Sequence, residues 1–147
     1  MIHMLCCKCS DAWGDIGTLV LRLALGLIFV MHGYQKVFEM GHEAVAGFMG
    51  SLGLPLASLM AYLVSYGELI TGILLIVGLF THWAAKIDIV IAIVAFLTVH
   101  MSKGFFLSGG GYEYIMLIFA SSVAVMISGA GKYSLDAVWL HKGHDHA

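Results

Sequence analysis

The sequence predicts an all-α membrane protein, built as an up-down bundle of four membrane-spanning helices. Of its 147 residues, 61% are hydrophobic and only 11% are charged, whereas soluble domains carry roughly 25% charged residues. The mean hydropathy is +0.95. Apolar runs of about 20 residues are long enough to cross a hydrocarbon core of roughly 30 Å as helices. We expect four such spans, at residues 16–38, 56–79, 83–101 and 112–128.

The spans are expected to be helices because backbone groups in lipid must be paired within their own segment. The first connection, EMGHEAVAGFMGSLGLP, is the longest. Its apolar residues Val45, Phe48, Met49 and Leu52 follow helical spacing, which ends at the turn formers around Pro55. This pattern predicts a short interfacial helix between helices one and two.

The other two connections are shorter or richer in turn residues. GLFTHWAAK predicts a tight turn with Trp83 at headgroup level. MSKGFFLSGGGYEY contains three glycines at 109–111, which permit a close turn, and we expect Phe105 and Phe106 to act as a lid. The chain thus divides into a Cys-containing tail at 1–15, a membrane domain at 16–136 and a His-rich tail at 137–147.

Charge and targeting signals narrow the function further. A formal net charge of -2 gives no basic footprint for nucleic acid, so that class of partner is excluded. The first apolar run is too long for a signal-peptide core, so we expect it to remain in the mature protein. The distribution of lysines predicts that both termini are cytoplasmic, with Lys8, Lys86, Lys132 and Lys142 on one side against Lys36 and Lys103 on the other.

Ionisable groups inside a span are costly, so they usually face the bundle interior. At 100° per residue, helix one places a polar and small-residue stripe on one arc with His32 at its edge, and helix two places a similar stripe around Glu68. The corresponding lines on helices three and four carry lysines, His100 and Glu113. The four stripes are Arg22, Gly26, Phe29, Gly33 and Lys36; Ala61, Ser65, Glu68 and Gly72; Lys86, Ile93, His100 and Lys103; and Glu113, Ala120 and Ala124.

Up-down topology brings His32, Lys36, His100 and Glu113 to the same outer side, with Glu68 below them and tyrosines at similar depth. Structural roles stand beside functional ones. The lysines near helix ends can snorkel to the interface, and Glu113 can close the top of the bundle. Arg22 can pair with a C-terminal carbonyl or with Asp136.

The two tails carry candidate metal ligands. Cys6, Cys7 and Cys9 could bind a soft ion such as copper(I) or zinc, although the spacing lacks a paired CxxC pattern. A divalent ion could be held weakly by His141, His144 and His146. In both cases a solvated tail is the competing interpretation, and the metal is unknown.

Five segments together resemble the DoxX family of four-helix bacterial membrane proteins: RLALGLIFVMHGYQKVF, GF…LGLP, GELITGILLIVGLFTHWAA, FLTVHMSKGFF and GGGYEYIMLIFASSVAVMISGAGKYSLD. The resemblance covers residues 22–136. It implies the fold and a location in the bacterial inner membrane, and it links the chain more loosely to quinone handling and to redox or oxidative stress. The positions that match the family's motif are Arg22, Gly33, Lys36, Glu68, His100 and Glu113.

The leading hypothesis from residues and resemblance is a quinone-linked oxidoreductase subunit. Quinone chemistry moves protons together with electrons, so groups that exchange protons are required. The catalytic candidates are Glu68, His100 and Glu113. The residues expected to bind the quinone are Arg22, His32, Tyr34, Lys36, Tyr66 and Phe106.

Two other classes stay open. One is a carrier of a small solute or a copper or zinc ion, which uses His32 and His100 with the two acids Glu68 and Glu113. The other is a membrane scaffold that anchors soluble redox enzymes. A homo-oligomer would suit the carrier because one bundle encloses little space, and a soluble redox partner would supply electrons in the leading hypothesis.

Overall fold

The computed structural model describes the backbone of residues 11–144 and the side chains of residues 12–139, and this part of the chain is helical without strands. A π-helical segment at Gln35–Met40 extends α1, and a second at Phe96–His100 extends α4. The six α-helices are α1 (Asp11–Tyr34), α2 (His42–Ser51), α3 (Ala57–Val77), α4 (Thr81–Ala95), α5 (Glu113–Ser128) and α6 (Leu135–His144).

Three helical segments are long and apolar enough to cross a membrane, namely Ala12–Met40, Ala57–Val77 and Thr81–Lys103. They coincide with the first three predicted spans. The fourth apolar helix, α5, has 16 residues, or roughly 24 Å at 1.5 Å per residue. The protein is therefore an all-helical membrane protein with three full-length candidate spans and one shorter apolar helix.

The long helices pack in sequence order around one interior. The closest partners are α1 with α3 and α4 with α5, while contacts of α3 with α4 and of α1 with α5 complete the bundle. Because consecutive helices are antiparallel, segments 35–56 and 96–112 lie at one end, called here the loop end. Segments 11–22, 78–81 and 128–136 lie at the other, called the tie end.

Glycines allow α1 and α3 to approach closely. A Cβ on Gly72 would lie 2.7 Å from the carbonyl oxygen of Gly26, and a Cβ on Gly33 would lie 2.7 Å from the Cα of Leu69. Small residues at such interfaces let two helix backbones pack without intervening side chains. The predicted stripe of α3 is fully buried, and that of α1 is buried from Arg22 to Gly33, with Lys36 half-buried, so both inward faces are confirmed.

The inward faces predicted for the next two helices are wrong. The buried face of α4 consists of Thr81, Ala84, Ala85, Asp88 and Ala92, whereas Ile93 and Lys103 are exposed. That of α5 consists of Ile118, Ser122 and Val125 rather than Ala120 and Ala124. In lipid, large apolar residues face outward as readily as inward, and small or polar residues mark the packed side.

The short helix α2 confirms that a helix lies between the first two spans. Val45 and Met49 are buried against Ala61 of α3, while Phe48 is exposed. At the other end of the chain, residues that were expected to form a tail contain α6. Its helix begins at Leu135, and the side chains of the tail histidines lie outside the described residues.

Candidate functional site

Lys36 and Glu68 form an ion pair between the end of the first span and the middle of α3. The Lys36 Nζ donates to Glu68 Oε2 at 2.5 Å, and the two side chains are 19% and 9% exposed respectively. Glu68 lies eleven residues into α3, or roughly 17 Å from its start. A carboxylate at this depth needs a positive partner, and Lys36 provides it.

A small cavity of about 30 Å³ opens beside this pair. Space of this size holds roughly one or two water molecules. The ring of His42 stacks on Tyr62 with 3.6 Å between centroids, and Tyr66 follows one turn later on α3. The cavity is lined by Lys36, Val37, His42, Tyr62, Ser65 and Tyr66. The site thus combines a charged floor with an aromatic wall.

Both π-helical segments lie at the loop end, where the cavity opens. One contains Lys36, and the other ends at His100. Well under 1% of residues in globular proteins adopt this conformation, and π-turns within longer helices occur frequently at functional sites. Their shared position supports the loop end as the functional end of the bundle.

His100 and Glu113 hold the third connection rather than joining the ion pair. The Nδ1–H of His100 donates to the carbonyl of Gly110 at 2.7 Å, and Glu113 accepts a hydrogen bond from the backbone N–H of Leu107. Phe105 packs edge-on against Tyr112, while Phe106 is 70% exposed. Among the described residues, no hydrogen bond or ion pair connects His100 or Glu113 to Lys36 or Glu68.

Two other predicted binding residues lie on the outside of the first span. His32 is exposed and donates from Nδ1 to the carbonyl of Ile28 at 2.9 Å. Tyr34 is also exposed and packs on Phe38. His32, His100 and the two acids do not form a group of three or more potential metal ligands in the described part of the chain. The cysteine and histidine clusters of the tails fall outside it.

Arg22 lies at the tie end, far from the cavity along the helix axis. Its guanidinium is fully buried and donates to the carbonyls of Ala130 and Tyr133 at 3.0 and 2.6 Å. Asp136 accepts hydrogen bonds from the backbone N–H groups of Phe80 and Thr81, so it caps the start of α4. These contacts match the structural alternative for Arg22, which is pairing with C-terminal carbonyls.

Asp88 is the buried acid that sequence reasoning missed. It lies in the middle of the α4 face, is completely buried, and contacts Thr71 of α3. The signal was present in the sequence as a lone acid within KIDIVIAIV. The lysines and His100 on the opposite side of the same helix gave a competing stripe, which the structure does not place inward.

Comparison with known proteins agrees with the helical membrane architecture. The sequence profile of the DoxX family matches residues 17–101, which include α1 to α4 and the Lys36–Glu68 pair. The chain belongs to the DoxX family. No solved structure matches it significantly.

Several bacterial members of the DoxX family are similar along most of the chain. "Putative oxidoreductase CatD" of Bacillus subtilis is 37% identical over 83% of this chain and 86% of its own length. An uncharacterized membrane protein of Mycobacterium tuberculosis is 30% identical over 85% of this chain and 82% of its own. Inner membrane protein YphA of Escherichia coli is 36% identical over 44% of each chain.

Proposed function

We propose that this DoxX protein is a quinone-linked oxidoreductase subunit that binds the quinone head group at the Lys36–Glu68 pair. The observation that carries the proposal is an ion pair set in the apolar bundle beside a small cavity with an aromatic wall. The printed name of the Bacillus subtilis relative supports redox work in general. It does not name a quinone, so the proposed ligand rests on the chemistry of the site.

The dimensions of the cavity define how a head group fits. A volume of about 30 Å³ admits a carbonyl oxygen but not a whole ring. The ring would therefore lie outside it, against Tyr62 and Tyr66, which are each about half exposed. Offset stacking of aromatic rings contributes about 0.5–1.5 kcal/mol beyond the burial of area. A lipid-soluble ligand can reach this wall laterally from the bilayer.

The residues of the pair have complementary roles in this proposal. A bound quinone supplies two-electron chemistry that consumes or releases protons. Lys36 donates a hydrogen bond to the carbonyl oxygen, and Glu68 holds or accepts the proton that must balance the charge. General acid and base groups have to be within hydrogen-bond reach of the proton they move. The shared contact of Lys36 and Glu68 places both at the same point.

His100 and Glu113 shape the rim of the site rather than its floor. Their hydrogen bonds to Gly110 and Leu107 hold the third connection, so that Phe106 is presented at the surface of the loop end. The electron donor is a soluble protein or a thiol compound that reaches this end. His32 and Tyr34 form an outer boundary of the same surface and are not in contact with the pair.

The proposal includes four crossings of the bacterial inner membrane, with both termini cytoplasmic. The backbone N–H of Lys132 donates to Asp15 at 2.9 Å, and Arg22 contacts Ala130. Because α5 starts at the loop end and is followed by these tie-end contacts, it returns across the whole bundle. Its 16 residues can do so if the bilayer thins slightly or flanking residues snorkel, each at modest cost.

The proposal is tested by the small molecules that accompany the purified protein. Isoprenoid quinone in protein extracted with mild detergent would be quantified by mass spectrometry for the parent, Lys36→Met and Glu68→Gln. We expect a stoichiometric fraction in the parent and loss in both variants. Gly47→Ala, on the open face of α2 with nothing within 4 Å of the added methyl, is the matched control. Equal quinone in all four proteins would refute the site.

A further inference from the structure

We infer that Asp88 is a proton-binding site inside the bundle and is occupied by a proton near neutral pH. This inference goes beyond the quinone site, since it concerns a different residue and needs no ligand. Its basis is the arrangement of hydrogen-bond donors and charges around one fully buried carboxyl group. Asp88 lies seven residues into α4, or roughly 10 Å from the tie end.

The first argument is the number of hydrogen atoms available. Thr71 Oγ1 lies 2.6 Å from Asp88 Oδ1 and 2.8 Å from the carbonyl oxygen of Gly67. A hydroxyl group has one hydrogen, and neither a carbonyl nor a carboxylate can donate. Both short contacts are satisfied only if the acid is protonated: Asp88 donates to Thr71, and Thr71 donates to Gly67.

The second argument is the number of charges. In the described interior, Lys36 is already paired with Glu68, and Arg22 is bonded to carbonyls at the tie end. No positive group in the described part of the chain contacts Asp88, and its Oδ2 has no hydrogen-bond partner there. An unpaired buried charge costs far more than a neutral acid with one free carbonyl oxygen.

The groups on the surrounding helices do not supply a substitute. On α4 itself, Lys86 turns outward over the ring of Trp83, and His82 bonds to Met126. From α5 the nearest buried polar side chain is Ser122, a neutral hydroxyl. The remaining titratable groups of the helices packed against α4 are Glu68, Tyr62 and Tyr66 on α3 and Glu113 and Tyr114 on α5. None of them carries a positive charge.

Infrared spectroscopy tests the inference on the intact protein without any ligand. The protein is purified in an ester-free detergent, and the carboxylic acid C=O band is recorded near neutral pH with and without carboxyl-¹³C aspartate. We expect one protonated-acid band that shifts with the aspartate label and disappears in Asp88→Asn. Because an amide can replace the acid as donor to Thr71, this variant should fold. Glu68→Gln is the matched control and should keep the band.

A second variant protects the test if Asp88→Asn does not fold. In Thr71→Val the acid loses its hydrogen-bond acceptor, so the labelled band should move without disappearing. The inference is overturned if the labelled parent shows no protonated aspartate band, if the band survives Asp88→Asn, or if Thr71→Val leaves its position unchanged. These outcomes are independent of quinone content, so failure of the proposed function would leave this result intact.

Discussion

Lys36 and Glu68 differ in how they can respond when the partner is removed. The glutamate side chain lies near the middle of α3 and is nearly buried, whereas the lysine lies four residues from the end of the first span. Lysine has a long apolar stem that can carry its ammonium group to the membrane interface. The acid has no such path, so its ionised form depends on the lysine.

We therefore expect Lys36→Met to be more destabilising than Glu68→Gln. Removing one partner of a buried pair costs about 3–5 kcal/mol where the remaining charge is trapped. The double variant should recover much of the loss because both charges are gone. Thermal unfolding in detergent measures all three proteins. Equal melting temperatures for the two single variants would show that Glu68 is not trapped by its position.

At the scale of the helices, the junction of α1 and α3 depends on glycine. A Cβ on Gly72 would lie 2.5 Å from the backbone nitrogen of Val30, and a backbone atom of this kind cannot yield as a flexible side chain can. The inward side of α3 contains both this glycine and Glu68. Close packing and placement of the acid thus depend on the same face.

Gly72→Ala is expected to lower stability by about 1–3 kcal/mol, the usual cost of overpacking a tight interface. Gly47→Ala in α2 is the control, since open space surrounds the added methyl group. Alanine there should be neutral or stabilise by up to about 1 kcal/mol, because it restricts the unfolded chain. The comparison uses melting temperatures under the same detergent conditions. A loss of the same size in both variants would indicate that α1 and α3 are not closely packed.

Hydropathy was sufficient to predict the first three spans, because length and composition alone set the cost of placing a segment in lipid. The inward faces of α1 and α3 were also predictable, since glycines and charged groups marked them. The faces of α4 and α5 were not, because large apolar residues surround both helices. Asp88 was overlooked for the same reason. His100 and Glu113 were placed at the correct end, but their partners in the loop are set by backbone geometry at Gly110 and Leu107.

At the scale of the whole molecule, the contacts at the tie end relate both ends of the chain. Lys132 meets Asp15, and the backbone N–H of Asp136 donates to the carbonyl of Gly78 at 2.9 Å. Residues that meet in this way must lie on one side of any membrane that the bundle crosses. Phe106 belongs to the opposite end.

Cysteine labelling in oriented membranes tests this arrangement. With Cys6, Cys7 and Cys9 replaced by serine, single cysteines are introduced at the exposed positions of Trp13, Phe106 and Lys132. We expect an impermeant thiol reagent to label Phe106→Cys from the periplasmic side and the other two only after the membrane is opened. Labelling of Lys132→Cys from the same side as Phe106→Cys would mean that α5 does not cross.

The central claim is that the Lys36–Glu68 pair binds a quinone head group. The most direct measurement is the dissociation constant of a short-chain quinone for purified protein, compared among the parent, Glu68→Gln and Glu113→Gln. We expect Glu68→Gln to weaken binding by about tenfold or more, which corresponds to about 1.4 kcal/mol. Glu113→Gln should change it far less, since Glu113 bonds only to the loop among the described residues. Unchanged affinity in Glu68→Gln would contradict the claim.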